Sequence, residues 1–429
     1  MPSTAEMENL LLILSVTLGI IALIGFLNEK VFHLNYEISL LLCSVVIGFC
    51  VTLAASAIRK ESVKEFLQSI QVYNLEAFLM KGVLCFMLFA GSCRLKLSQF
   101  REHARPIGVL AFVCTLLGAL FYGLLFYGIA SAFHLPFTRP VCLMFGSITA
   151  PTDPIAATSI LKKFGLPKTT GFLMEGESLL NDGVGVALFV VFSGMVTAQA
   201  GGGFFRIMFR EIVGAVLVGG SVTWLSFLLF KNTREKSGQI ITSLFTVSAA
   251  FCICEALECS GAIACVVCGV VFSTLRDREE QKGRQWELQE FDIFWETLDV
   301  LLNSLLYVML GLSFVRILQM PFVLRLSVAA IVCNLISRSA SLWAGTRLMG
   351  PLPDGYDRKG FVTLFTWGGL RGGLSLALAV STAAFLAQET YVIIIGCTYA
   401  IVFFTTVVQG LTMKKVFQRI SGSRKPQTA

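Results

Sequence analysis

Charged side chains are scarce in this chain. Asp, Glu, Lys and Arg make up 14% of its 429 residues, against about 25% in ordinary soluble domains. That is too little charge to solvate a water-facing surface, so a soluble globular fold is excluded. Histidine is scarcer still: the three residues, His33, His103 and His134, all fall in loops near the ends of apolar runs. None is placed as a buried proton carrier. No polar stretch is long enough for a soluble domain; the longest on one side, 276–294 (RDREEQKGRQWELQEFDIF), reads as a short interfacial segment. Cysteine is plentiful, with 13 residues, but Cys252, Cys254, Cys265 and Cys268 lie within apolar runs and lack further ligands in a polar loop. They read as small buried hydrophobes rather than metal pairs or a disulfide framework.

What the chain has in quantity is apolar length. Hydrophobic residues make up 55% of it and its mean hydropathy is +0.76. Runs suited to a hydrocarbon core of about 30 Å lie near 10–27, 38–57, 77–93, 106–132, 140–161, 171–198, 212–230, 238–257, 261–275, 295–315, 326–346, 360–386 and 390–413. The expected fold class is therefore an all-α polytopic membrane protein with about 13 transmembrane helices. Glu6 and Glu8, rather than basic residues, precede the first run, and no small-residue cleavage site precedes the second. The first run is expected to be a span, not a signal peptide. The odd-numbered connections and the C-terminal tail hold 23 of the 34 Lys and Arg, the even-numbered connections 8. This asymmetry predicts an N-terminus outside and a C-terminus in the cytoplasm. It also accounts for the net charge of +7 without a nucleic-acid partner.

Two spans are interrupted. In span 5, SITAPTDPIAA (147–157) sets Pro151 and Pro154 around Thr152 and Asp153. Proline lacks an N–H and disfavours helical geometry in the residue before it, so the helix should unwind there. In span 12, WGGLRGGLSLALA (367–379) sets four glycines around Arg371. Interrupted spans at corresponding places in two halves point to a transporter built from inverted repeats. The expected organisation is one transmembrane domain over 1–417, with repeat one at about 10–198, a linker helix at about 212–230 and repeat two at about 238–413. A short basic cytoplasmic tail, 418–429, follows.

A charge at the bilayer centre costs several kcal/mol unless it meets a partner or a water-filled cavity. Asp153, Glu177, Asp182, Arg338 and Arg371 fall in this class, while Glu175 sits where it can reach the interface. On a helix Ser178 and Asp182 share one face, and Glu177 and Asn181 share the next. Asp182, Ser178 and the groups around Thr152 would together offer oxygen ligands to Na⁺ if spans 5 and 6 meet. A carboxylate withdrawn from water beside a second one holds either a proton or a cation near neutral pH. Alternating exposure of such a site exchanges the two. For Asp153 the competing role is to cap the second half-helix. For Thr152 and Ser178 it is a bond back to their own helix, and for Gly183 and Gly185 close helix packing.

GESLLNDGVGV (176–186), TAPTDPIAA (149–157) and GGLRGGLSLALA (368–379), in that combination, resemble the monovalent cation/proton antiporter superfamily. The resemblance is to its sodium/proton exchanger, NhaP-like, branch. It implies an NhaA-like inverted-repeat fold in which the discontinuous spans 5 and 12 cross, a homodimer, and no cofactor beyond the transported Na⁺ or Li⁺ and H⁺. It implies a transporter and not an enzyme: an electroneutral Na⁺(Li⁺)/H⁺ antiporter of the plasma (cell inner) membrane, with a role in pH regulation. Asn181-Asp182 is similar to the pair of the electroneutral branch. By resemblance, Asp182 carries cation and proton, with Asn181, Asp153, Thr152 and Ser178 around it. Also by resemblance, Glu177 pairs with Arg371 in a buried structural bridge, with Arg338 in the same polar core. One departure stands out: many relatives carry an acid in span 3 where MLFAGSCRL (87–95) has Phe89, which bears on cation preference. K⁺/H⁺ exchange is the variant reading. An intramembrane aspartyl protease lacks its Gly-x-Gly-Asp signature here, and a cation channel lacks a re-entrant filter or ring of acids.

Overall fold

The computed structural model describes residues 4–57, 83–93, 97–153, 155–197, 204–283, 289–318 and 320–421. The start of the expected third span, Pro154 and the last residues of the tail lie outside the described residues. Every regular element among those described is helical. In an apolar solvent only a helix or a closed barrel satisfies every backbone group internally.

The helices are α1 (Thr4–Leu27), α2 (Tyr36–Ala57), α3 (Leu84–Cys93), α4 (Leu97–Gly108), α5 (Thr115–Ala132), α6 (Arg139–Thr149), α7 (Ile155–Lys162) and α8 (Lys168–Thr197). After them come α9 (Phe204–Asn232), α10 (Lys236–Ala256), α11 (Gly261–Gln281), α12 (Gln289–Leu318) and α13 (Pro321–Met349). The chain ends with α14 (Arg358–Trp367), α15 (Gly373–Ser381), α16 (Gln388–Phe403) and α17 (Gly410–Ser421). A π-helical turn, Val109–Cys114, joins α4 to α5, and another, Phe404–Gln409, joins α16 to α17. Each expected apolar run carries a helix, and the two interrupted ones carry two each. Among the described residues seven helices, such as Lys168–Thr197 and Gln388–Ser421, are individually long and apolar enough to cross a membrane. The last helix continues to Ser421, past the expected boundary at 417.

Two groups of helices surround the breaks. On one side α2 packs along α12, and α3 along α11 with α9 and α10 behind it. On the other, α5 and α8 embrace α6, and α13 packs on α5 and α16. The first group is keyed by aromatics: Phe89, Phe230, Phe272, Phe291 and Trp295 are all fully or almost fully buried. The Phe89 and Trp295 ring centroids lie 4.6 Å apart. Large apolar side chains such as Leu217, Leu225 and Ile241 are more than 60% exposed. A surface of that kind suits hydrocarbon, and the protein is an integral membrane protein.

Candidate functional site

The breaks form where the sequence interrupts helical geometry. The helix α6 ends at Thr149, and the next residues through Asp153 have no helical assignment. The helix α14 ends at Trp367, and α15 begins at Gly373 after Gly368–Gly372. The two breaks meet. The Asp153 backbone N–H donates to the Leu370 carbonyl at 2.8 Å. That approach needs Gly372, because a Cβ there would sit 2.9 Å from both Cβ and Oδ2 of Asp153.

Each end of the meeting is held by an arginine. The Arg371 Nη1 donates to the carbonyls of Ala150 and Pro151, both at 2.7 Å, and Nη2 donates to Asn334 Oδ1 at 2.9 Å. A cation at the carbonyl end of a helix opposes the helix dipole and satisfies orphan carbonyls. The backbone of Arg371 is held in turn by the π-helical turn of the last span: its N–H donates to Thr405 Oγ1 at 3.1 Å, and the Thr406 hydroxyl donates to its carbonyl at 3.5 Å. Arg338, on α13, lies 2.6 Å from Glu177 Oε1 through Nη1 and donates from Nη2 to the Phe365 carbonyl at 3.4 Å, near the end of α14. Glu177 and Arg338 are both almost fully buried.

This corrects one expectation. The partner of Glu177 is Arg338, not Arg371. Arg371 directs its terminal nitrogens at the end of α6, whereas Arg338 reaches α8 from α13. The correction also changes what the first break can offer. The Ala150 and Pro151 carbonyls already accept from a guanidinium, so the remaining oxygen-bearing groups beside the break are Thr152, Asp153 and the side chains of α8.

The first break is tied to α8 by Asn181. Its Nδ2 donates to Thr152 Oγ1 at 2.8 Å, and its Oδ1 accepts the Thr152 N–H at 3.4 Å. The Thr152 hydroxyl is thus bound to α8 rather than to its own helix. Gly185 lets the two segments approach, since a Cβ there would collide with the Pro151 ring, and Gly183 makes room for Val266. Both glycines serve packing. Asp182, next to Asn181, and Asp153 are each half-buried, while Ser178, one turn before Asp182, is buried. Glu175 stays outside this group, paired with exposed Lys162 at 2.8 Å.

One stripe escaped the sequence reading. On α12, Asp299, Asn303 and Tyr307 recur at helical spacing and face the breaks. Asn303 Nδ2 donates to Asp299 Oδ1 at 3.1 Å, and Tyr307 lies beside Thr406. A Cβ on Gly373 would lie 2.9 Å from Asn303 Oδ1. Asp299 and Asp153 lie within electrostatic reach of Asp182, and both also of Glu37 on α2. Asp299 was legible as a carboxylate inside an apolar run, followed by an amide one turn on. Asn334, which receives Arg371, carried no comparable signal. Phe89, the departure noted in span 3, is wedged against Trp295 and Phe272. Among the described residues no three of His, Cys, Asp and Glu gather closely enough to hold a metal ion.

Comparison with known proteins places this architecture. A NhaP Na⁺/H⁺ antiporter of Pseudomonas aeruginosa is 29% identical over 371 residues, covering 83% of this chain and 84% of the relative. A NhaH Na⁺/H⁺ antiporter of Halobacillus dabanensis is 28% identical over 420 residues, covering 96% and 97%. The solved structure of the sodium proton antiporter MjNhaP1 of Methanocaldococcus jannaschii superposes with a TM-score of 0.71 at 18% identity, over 97% of this chain and all of that one. The fold is therefore shared with that protein. A family model described as sodium/hydrogen exchanger, transmembrane, matches residues 13–419, and with nearly the whole chain inside that match, the protein belongs to the sodium/hydrogen exchanger family.

Proposed function

We propose that the protein is an electroneutral Na⁺(Li⁺)/H⁺ antiporter, a secondary transporter that exchanges one cation for one proton by alternating access at Asp182. The observation that carries this reading is the placement of Asp182: a half-buried carboxylate beside Asn181, whose amide clamps the first helix break. Asp182, Asp153, Ser178 and Thr152 supply hard oxygen ligands suited to a small monovalent cation. Protonation of Asp182 removes the charge that attracts the cation, so the two cargoes compete for one group. Glu177 and Arg338 hold α8 to α13, and Arg371 holds the first break. These three arrange the site without carrying cargo. Asp299 adds a carboxylate facing the breaks from α12. The antiport activity named for the Pseudomonas and Halobacillus relatives supports the reading.

The protein works as a homodimer in the plasma (cell inner) membrane, with its N-terminus outside and its C-terminus in the cytoplasm. It crosses the bilayer with thirteen spans arranged as two inverted repeats about a linker helix, and it serves pH regulation. The distribution of Lys and Arg supports the orientation. The departure noted at Phe89, whose ring is fully buried, leaves a second reading of the cargo open: K⁺/H⁺ exchange is the variant to test.

Cation-induced dequenching of a pH dye in vesicles carrying the protein tests both, scanning Na⁺, Li⁺ and K⁺ with the membrane potential clamped and unclamped. Dequenching by Na⁺ and Li⁺ that ignores the potential is expected. A response to K⁺ alone would replace the substrate and keep the mechanism. No response to any of the three would remove the proposal.

A further inference from the structure

The two buried arginines do not use all their donors. Arg338 engages Glu177 and the Phe365 carbonyl through Nη1 and Nη2; Arg371 engages Ala150, Pro151 and Asn334 through the same pair. The Nε–H of each is buried and without a hydrogen-bond partner. An unmet buried donor costs about 1–3 kcal/mol and more when charged, so each of these donors calls for an acceptor. Both arginines line one small cavity, together with Thr149, Ser337, Ser341 and Gly118.

Charge points the same way. The cluster holds two guanidinium groups and one carboxylate, and among the described residues Arg371 forms no ion pair. The carbonyl end of α6 offsets part of the excess, roughly half a charge. The three hydroxyls can contribute as well. Each now donates to a carbonyl of its own helix, and a hydroxyl hydrogen rotates to suit what it faces.

We propose that this cavity binds a small monovalent anion of halide size, held between the Nε–H groups of Arg338 and Arg371. The site lies between α5, α6 and α13, apart from the carboxylates around Asp182. An anion there ties the arginine at the end of α6 to the one near the end of α14, so it stabilises the meeting of the two breaks. The inference rests on the arginine pair and not on the transport activity, and its test reads binding without transport.

Thermal unfolding of the purified, detergent-solubilised protein in sodium chloride, sodium bromide and sodium gluconate, at matched sodium and ionic strength, tests it. A saturable rise of roughly 2–4 °C with chloride or bromide over gluconate is expected. Soaking with bromide should place an anomalous peak between the two Nε atoms. The control is Gly118→Ala, whose added methyl fits at 3.6 Å from Ser341 Oγ and takes up space in the cavity. It should fold and lose the halide effect. Equal melting temperatures in all three salts, with no bromide peak, would overturn the proposal and leave water as the acceptor. A halide effect unchanged in Gly118→Ala would overturn it equally, by moving the anion elsewhere.

Discussion

The two helix breaks are built from opposite materials. The first, at 150–153, is stiffened by Pro151 and supplies carbonyls, a hydroxyl and a carboxylate. The second, at 368–372, is made pliant by glycine and supplies a cation. Neither is satisfied alone: the first exposes the carbonyl end of α6, and the second would bury a lone guanidinium. Brought together, Arg371 caps Ala150 and Pro151, and Leu370 receives the Asp153 N–H. The break with the fixed backbone carries the acidic side chain, and the break with the freer backbone carries the long one that must reach. The two carbonyls freed by the break are thus occupied by an internal cation, the Arg371 guanidinium.

The most damaging way to break this complementarity is Arg371→Ala. It leaves two buried carbonyls and Asn334 without their donor, at about 1.5–3 kcal/mol for each charge-assisted bond lost. Little folded protein should survive purification, and size-exclusion recovery with thermal unfolding would show it. Next is Glu177→Ala, which leaves Arg338 buried and unpaired at about 3–5 kcal/mol. Pairing Glu177→Gln with Arg338→Gln should recover much of that loss, whereas pairing it with Arg371→Gln should recover nothing. The reverse order of melting temperatures would restore the pairing expected from resemblance. Gly372→Ala comes third. Its methyl presses on Asp153, at a cost of about 1–3 kcal/mol, and exchange should fall more than stability does if Asp153 serves the site as proposed.

A region outside the membrane gives the smallest effect. Glu279 accepts from Lys231 and Lys282, each at 2.8 Å, and these two ammonium groups hold its carboxyl down at about 2. The unfolded chain would protonate it near 4.3. Its contribution is thus present above pH of about 4.3 and lost as the pH falls through about 2. Glu279→Gln should leave the melting temperature at pH 7 nearly unchanged and flatten its dependence below pH of about 4.

Much of the site was legible because its chemistry is local in sequence. Pro151, Thr152 and Asp153 mark their own break, and Asn181 and Asp182 share a motif. Spacing on a helix cannot say which of two distant arginines reaches Glu177, since that depends on how α8, α13 and α14 pack. Arg338 and Arg371 are equivalent by charge and differ only in what surrounds them. Asp299 was passed over because it sits inside a run whose apolar content dominates, although its spacing to Asn303 and Tyr307 was visible. Asn334 and the threonines of the π-helical turn gave no signal, because polar residues of that size occur throughout the spans. Helix ends moved for a simpler reason: α17 is amphipathic and basic, so its continuation to Ser421 leaves no hydropathy trace.

The central claim is that one carboxylate, Asp182, holds either cargo. Proton release on adding Na⁺ to the purified protein in unbuffered detergent solution tests it most directly, in the wild type and in Asp182→Asn. The account predicts release by the wild type that saturates with Na⁺, at about one proton per cation bound, and none from a folded Asp182→Asn. Release that persists in Asp182→Asn, or Na⁺ binding without release in the wild type, would contradict it.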